Sequence, residues 1–265
     1  YGLQWWTKGL NRGTISTLKA GEDVASDRGV ECLAPEAAPV SPPEPGTLGG
    51  LPKDKTPISE APFAPTSAQG AANVVQSYFA HAIAPGAPLA GAVRLRMHGA
   101  IKLRRWHRFK AVQVVTRDAA MIWRASVRMR IASVHGYDRF VDGRGSMKWR
   151  LFGIVPVVLA EGADVTRSVA GRVAAESIWL PPMLLDDRVR WSADGPGVAR
   201  AGMTLAGHSA ELRMTLDHGR LQAIGLSRWG NPDGESFREL PFGAWVDQEA
   251  TFGDYTIPAR VRVGW

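Results

Sequence analysis

The chain has 265 residues, 45% of them apolar, and a formal net charge of +7. That is enough for one large β domain, or two small ones, around a packed core. A lone cysteine, Cys32, excludes an intrachain disulfide and a cysteine-based metal cluster. No run reaches the roughly 20 apolar residues of a membrane helix.

The charge is uneven. Residues 71–265 carry 26 Lys+Arg against 17 Asp+Glu, and all but 3 of those cations are arginine. Such a surface suits nucleic acid or an anionic membrane. The arginines are spread over many segments, so a solubilising role is the plainer reading. The chain opens on Tyr1 and closes on Trp265 inside an alternating run, which reads as a fragment. No signal peptide is visible. The compartment is therefore the cytoplasm by default, or the cell envelope if a signal is missing.

Residues 1–66 hold 9 of the 18 prolines and no apolar period, so they read as a disordered tail. Trp5 and Trp6 stand apart in it. The folded part, 67–265, starts with an amphipathic helix over 71–83, where Val74, Val75, Tyr78, Phe79 and Ala82 share a face. Strands follow over 91–103 and 109–116. The stretch 121–131 alternates strictly: Trp123, Ala125, Val127, Met129 and Ile131 on one side, Arg124, Ser126, Arg128 and Arg130 on the other. A strand over 134–141, a turn at Asp142-Gly143 and a strand through Met147, Trp149 and Leu151 continue the meander. The run 151–160 (LFGIVPVVLA) predicts a buried strand. Asp164 is placed to cap a helix over 165–178, which Pro181-Pro182 end. Short strands and Gly-containing turns then alternate to the end of the chain, about ten strands in all. Regular βαβ alternation is absent, so the sheet is expected to be antiparallel.

Phosphate loops, dinucleotide fingerprints, GxSxG and HExxH are all missing. A metal site would need His135, Asp138 and Asp142 to converge, and the three-residue spacing of the first two puts them on opposite faces of a strand. No metal or cofactor is expected. Glu176, within the second helix, is the candidate general acid or, more simply, a half-buried partner for an arginine of the sheet. Arg228, in RWGNPDG, could meet a ligand carboxylate or phosphate, or be tied to Asp233 or Glu235 across a turn. Ten tryptophans are many for this length. Those after residue 100 either line an acyl-chain pocket or fill the gap between sheet and helices.

The motifs YDRFVDGRGSM, AAESIWLPP, RWGNPDG, LPFGAWV and YTIPARVRVGW occur in order over residues 73–265. They resemble a bacterial family, a domain of unknown function. The resemblance implies that the domain continues beyond Trp265 with at least one more strand. It assigns no chemistry. The architecture is similar to the half-barrel carriers of lipoprotein transport, which curl a sheet around a helix.

The reading is a mainly β (α+β) domain: an antiparallel curved sheet or half-barrel meander packed on two helices. Its expected role is non-enzymatic binding of a hydrophobic or amphipathic, lipid-like ligand. Trp123, Met129, Trp149 and Trp179 would stand near the cavity, with Arg124 and Arg228 at the rim. The alternatives are an enzyme using Glu176 and a structural domain with a filled core. Nucleic-acid binding ranks last, because the aromatics alternate away from the arginines.

Overall fold

The computed structural model describes residues 62–64, 73–103 and 105–265. Trp5, Trp6 and Cys32 lie outside them, as does most of the expected tail. Phe63, within the 1–66 range, is packed in the core and exchanges backbone hydrogen bonds with Gly86 and Ala87.

The fold is mainly antiparallel β with few helices, as expected. Helix α1 (Asn73–Ala82) precedes six strands: β1 (Ala92–Lys102), β2 (Trp106–Thr116), β3 (Met121–Arg128), β4 (Ser133–Val141), β5 (Arg144–Leu151) and β6 (Val155–Glu161). A helical connection follows, formed by α2 (Ala163–Glu176), a 3-10 turn (Ser177–Trp179) and α3 (Pro181–Leu184). Six more strands complete the chain: β7 (Arg190–Ala193), β8 (Val198–Leu205), β9 (His208–Asp217), β10 (Arg220–Gly230), β11 (Arg238–Phe252) and β12 (Tyr255–Gly264). Each set of six forms its own sheet in simple chain order. The twelve strands of the described residues are thus two meanders, where the sequence suggested one sheet of about ten.

Local chemistry explains the meanders. In β3 the apolar positions are buried while Arg124 and Arg128 are exposed, as period-2 alternation requires. The alternation stops with the strand at Arg128, so Ile131, expected on the dry face, is 88% exposed in the turn that follows. Among the described residues four hairpins turn on two consecutive residues with positive φ: Asp142-Gly143, Phe152-Gly153, Ala206-Gly207 and His218-Gly219. That is the type I′ turn, whose twist matches the strands it joins.

Two further expectations fail locally. The run 151–160 is not one buried strand. Gly153 takes φ 75°, and the chain reverses there, so 155–161 becomes an edge strand with Val155 and Leu159 exposed. Pro156 suits an edge, since it has no N–H to offer a further strand. Asp164 does not cap α2 either. Gly162 is the N-cap, and the Asp164 carboxylate accepts a hydrogen bond from Trp229 Nε1 at 2.9 Å instead.

Helix α2 packs against β4, β5 and β6 of the first sheet and β8, β9 and β10 of the second. Val165, Val169, Val173 and Ala174 are buried there, and one continuous core joins both sheets to α1 and α2. Close approach depends on small residues. A Cβ on Gly145 would lie 2.7 Å from Thr166 Cα of α2. Within the first sheet, a Cβ on Gly136 would overlap the Lys148 carbonyl oxygen and the Trp149 ring. Gly136→Ala should therefore lower the unfolding free energy by about 1–3 kcal/mol, the usual penalty of overpacking. Urea denaturation checks this; an unchanged midpoint would mean that Trp149 yields freely.

Candidate functional site

A polar seam runs where α2 meets the inner faces of the sheets. Residues four apart on a helix share a face, so Ser168, Arg172 and Glu176 form one edge of α2. Arg172 Nη1 donates to Asp138 Oδ2 at 2.5 Å, and its Nε donates to Glu176 Oε1 at 2.9 Å. Gln113 Nε2 donates to Glu176 Oε2 at 2.9 Å, and Trp149 Nε1 to Asp138 Oδ1 at 3.0 Å. All four carboxylate oxygens therefore accept a hydrogen bond, as buried charges require. The Arg172 guanidinium also lies 4.6 Å over the Trp123 ring, which packs 5.6 Å from Trp149. Trp123 Nε1 faces Met97 Sδ at 3.3 Å.

One arginine between two carboxylates leaves a net negative charge, and Arg228 balances it from the second sheet. Arg228 is only 7% exposed. Its Nε donates to the Ser168 carbonyl at 3.1 Å. Its guanidinium lies 4.6 Å from the Phe242 ring and 4.7 Å from the Trp265 ring. Among the described residues no carboxylate forms an ion pair with it. Gly171 leaves room for the Arg228 stem, since a Cβ there would sit 3.0 Å from Arg228 Cγ.

The electrostatics follow from burial. Desolvation pushes the Asp138 carboxyl above its ordinary value, although Arg172, Trp149 and Arg228 pull the other way. Burial alone would lower Arg172, but Glu176 and Asp138 outweigh it and hold the guanidinium up. Burial, then the like charge of Arg172, pushes Arg228 down to about 9, with Glu176 and Asp138 offsetting part of the effect. It remains a cation at neutral pH. A buried guanidinium without a carboxylate can accept a planar anion through its remaining N–H groups. A general acid is harder to assemble here, since each carboxylate oxygen would first have to give up an existing donor.

Trp123, Trp149, Glu176 and Arg228 thus come together. Arg124 does not: it follows Trp123 on β3, and its side chain is exposed on the opposite face. Met129, just beyond β3, is partly buried against the core. Trp179 stands beyond Glu176, donates from Nε1 to the Pro258 carbonyl at 3.0 Å, and lines a separate cleft. That cleft, between Ala90, Trp179, Tyr255 and Ile257, is shallow, with a cavity volume of only about 10 Å3. His135 is exposed and hydrogen-bonds Ser133, and Asp142 sits in a turn, so neither approaches Asp138. Arg228 is not tied across its turn either. Arg238 takes Asp233 and Glu235 instead, and Arg228 points inward from β10.

Sequence reasoning missed Gln113, Phe242 and Trp265 as members of the site, and it gave Glu176 an arginine of the sheet where the partner is Arg172 of its own helix. Gln113 carried a signal: it interrupts the dry face of β2 between Ala111 and Val115. Arg228 shows the same break, following Ile224 and Leu226 on the inward side of β10.

No curated protein and no solved structure matches the chain. The ordered motifs, the two meanders and the helix between them extend over the region that a family model covers, residues 63–265, and the chain belongs to that family, the family of unknown function DUF6544.

Proposed function

We propose that the protein is a non-enzymatic module that binds an amphipathic molecule with an anionic head group, received by Arg228 at the seam. The observation that carries this reading is the buried Arg228 cation, packed against two adjoining aromatic rings with no carboxylate paired to it. A carboxylate or phosphate would form the charge-assisted bonds that the fold withholds. Phe242 and Trp265, both partly buried, cover the guanidinium and would flank the apolar part next to the head group. Trp123 and Trp149 pack against one another and against Arg172, so they wall the site and do not line an open cavity.

The test is a titration with a medium-chain fatty acid and with an alkyl phosphate, followed by tryptophan fluorescence and thermal shift. Binding should raise the melting temperature, because a ligand selective for the folded state stabilises it. Arg228→Met should weaken binding about tenfold or more, the scale of a charged hydrogen bond. Equal binding by the variant, or a wild-type melting point indifferent to both ligands, would remove Arg228 from the role.

A further inference from the structure

The first sheet carries three hairpin tips at one end: the β1–β2, β3–β4 and β5–β6 turns. Strands lie about 4.8 Å apart, so the three tips span on the order of 20 Å. Each exposes large apolar side chains. Trp106 is 56% exposed, Ile131 88%, Phe152 57% and Ile154 77%. The cations around them are Lys102, Arg105, Arg108, Arg128, Arg130 and Arg150, all exposed. None of these six forms an ion pair among the described residues. The segments 102–110, 128–133 and 148–156 contain no Asp or Glu at all.

Phe152 is the most telling residue. It takes φ 54° in a type I′ turn, with Ile154 N–H bonded to the Leu151 carbonyl. That left-handed conformation suits Asn, Asp or Gly and strains a bulky residue. The other three turns of this type place Asp142, Ala206 and His218 at the same position. An aromatic there, pointing into solvent, contributes nothing visible to folding. Strain of this kind at an exposed tip points to function.

We propose that these three tips form a docking surface for an anionic phospholipid bilayer. The apolar side chains would enter the headgroup boundary while the arginines and Lys102 meet lipid phosphates. Aromatic and aliphatic tips ringed by cations are the composition that binds such an interface. Nucleic acid fits less well. Ile131 and Ile154, the two most exposed, present no flat face for a base to stack on. The proposal is independent of the ligand at Arg228, since none of the tip residues belongs to the seam.

The test is sedimentation of the whole 265-residue chain with vesicles. One set is phosphatidylcholine with about a third phosphatidylglycerol, the other phosphatidylcholine alone. Wild type should bind the anionic vesicles about tenfold or more tightly, with an affinity that falls as salt rises. I131S/F152S/I154S should lose about tenfold or more on anionic vesicles, and R105Q/R130Q/R150Q should lose the preference for them. Both variants should melt like wild type, because every substituted side chain is exposed. Absence of wild-type binding, equal binding to both vesicles, or undiminished binding by the apolar variant would overturn the proposal. So would retention on single-stranded nucleic acid in place of vesicles.

Discussion

Arg172→Met should lower the unfolding free energy by about 3–5 kcal/mol at neutral pH, the scale expected when one partner of a buried ion network is removed. Arg172 holds Asp138 at 2.5 Å and Glu176 at 2.9 Å, and the side chains of all three are under one-fifth exposed. Without it two carboxylates remain in the core with only Trp149, Gln113 and a distant Arg228 to balance them. The loss should depend on pH in a definite sense. Burial already raises the Asp138 carboxyl, and Arg172 is the strongest influence opposing that rise. Removing Arg172 therefore moves the folded-state value further up. A group raised on folding stabilises the fold fully below its unfolded value, about 4 for Asp. It loses that contribution as pH climbs through the folded value. The deficit of the variant should thus be smallest in mild acid and widest at neutral pH. Urea melts at both ends of that range measure it. A deficit that does not change with pH would show that Asp138 does not feel Arg172 as its counter-ion. Adding D138N and E176Q should recover part of the loss, because a network emptied of charge is cheaper to bury than a broken one.

Trp149→Ala should be comparably damaging, at about 3–5 kcal/mol for the cavity alone. Trp149 is 1% exposed and the largest of the fully buried side chains. Its removal also takes the indole donor from Asp138, which adds about 1–3 kcal/mol for the unsatisfied acceptor. Trp149→Phe separates the two effects. It keeps much of the volume and loses the donor, so it should fall well short of the alanine variant. Denaturation of both variants side by side decides the matter. If phenylalanine is as harmful as alanine, the hydrogen bond to Asp138 dominates. If alanine costs less than about 1 kcal/mol, the site collapses around the missing ring and the packing argument fails.

These two residues are stabilising parts of the seam, and Arg228 differs from them in kind. Arg172 and Trp149 complete bonds to carboxylates, whereas Arg228 bonds only a backbone carbonyl and stacks on two rings. That contrast is why the ligand proposal rests on Arg228 and the stability predictions on the other two.

Much of the site was legible as anomaly. Gln113 and Arg228 stand at inward positions of β2 and β10, where alternation calls for an apolar residue. Glu176 follows Arg172 by one helical turn, a spacing that brings the two together on any helix. The companions were harder to read. Asp138 drew attention only as a metal ligand with His135 and Asp142, because on a strand its neighbours in sequence point elsewhere and its partners are far along the chain. Arg124 looked like a rim residue by its closeness to Trp123, yet one step along a strand reverses the face. The run 151–160 misled for a different reason. Its apolar character matched a buried strand, but Phe152-Gly153 could form a turn, and the exposed tip that results is the feature most in need of a function.

What the sequence alone determined is the local alternation of strand and turn. Period-2 patterning, the Gly-containing turns and the helical spacing over α1 and α2 each depend on residues close in the chain. The tertiary structure decided how the strands divide into two sheets and which polar groups meet between them. Arg172 reaches Asp138 across 34 residues, Gln113 reaches Glu176 across 63, and Arg228 reaches the Ser168 carbonyl across 60. The physical reason is that a buried polar side chain must find a partner, but the partner it finds depends on where the helix crosses the sheets.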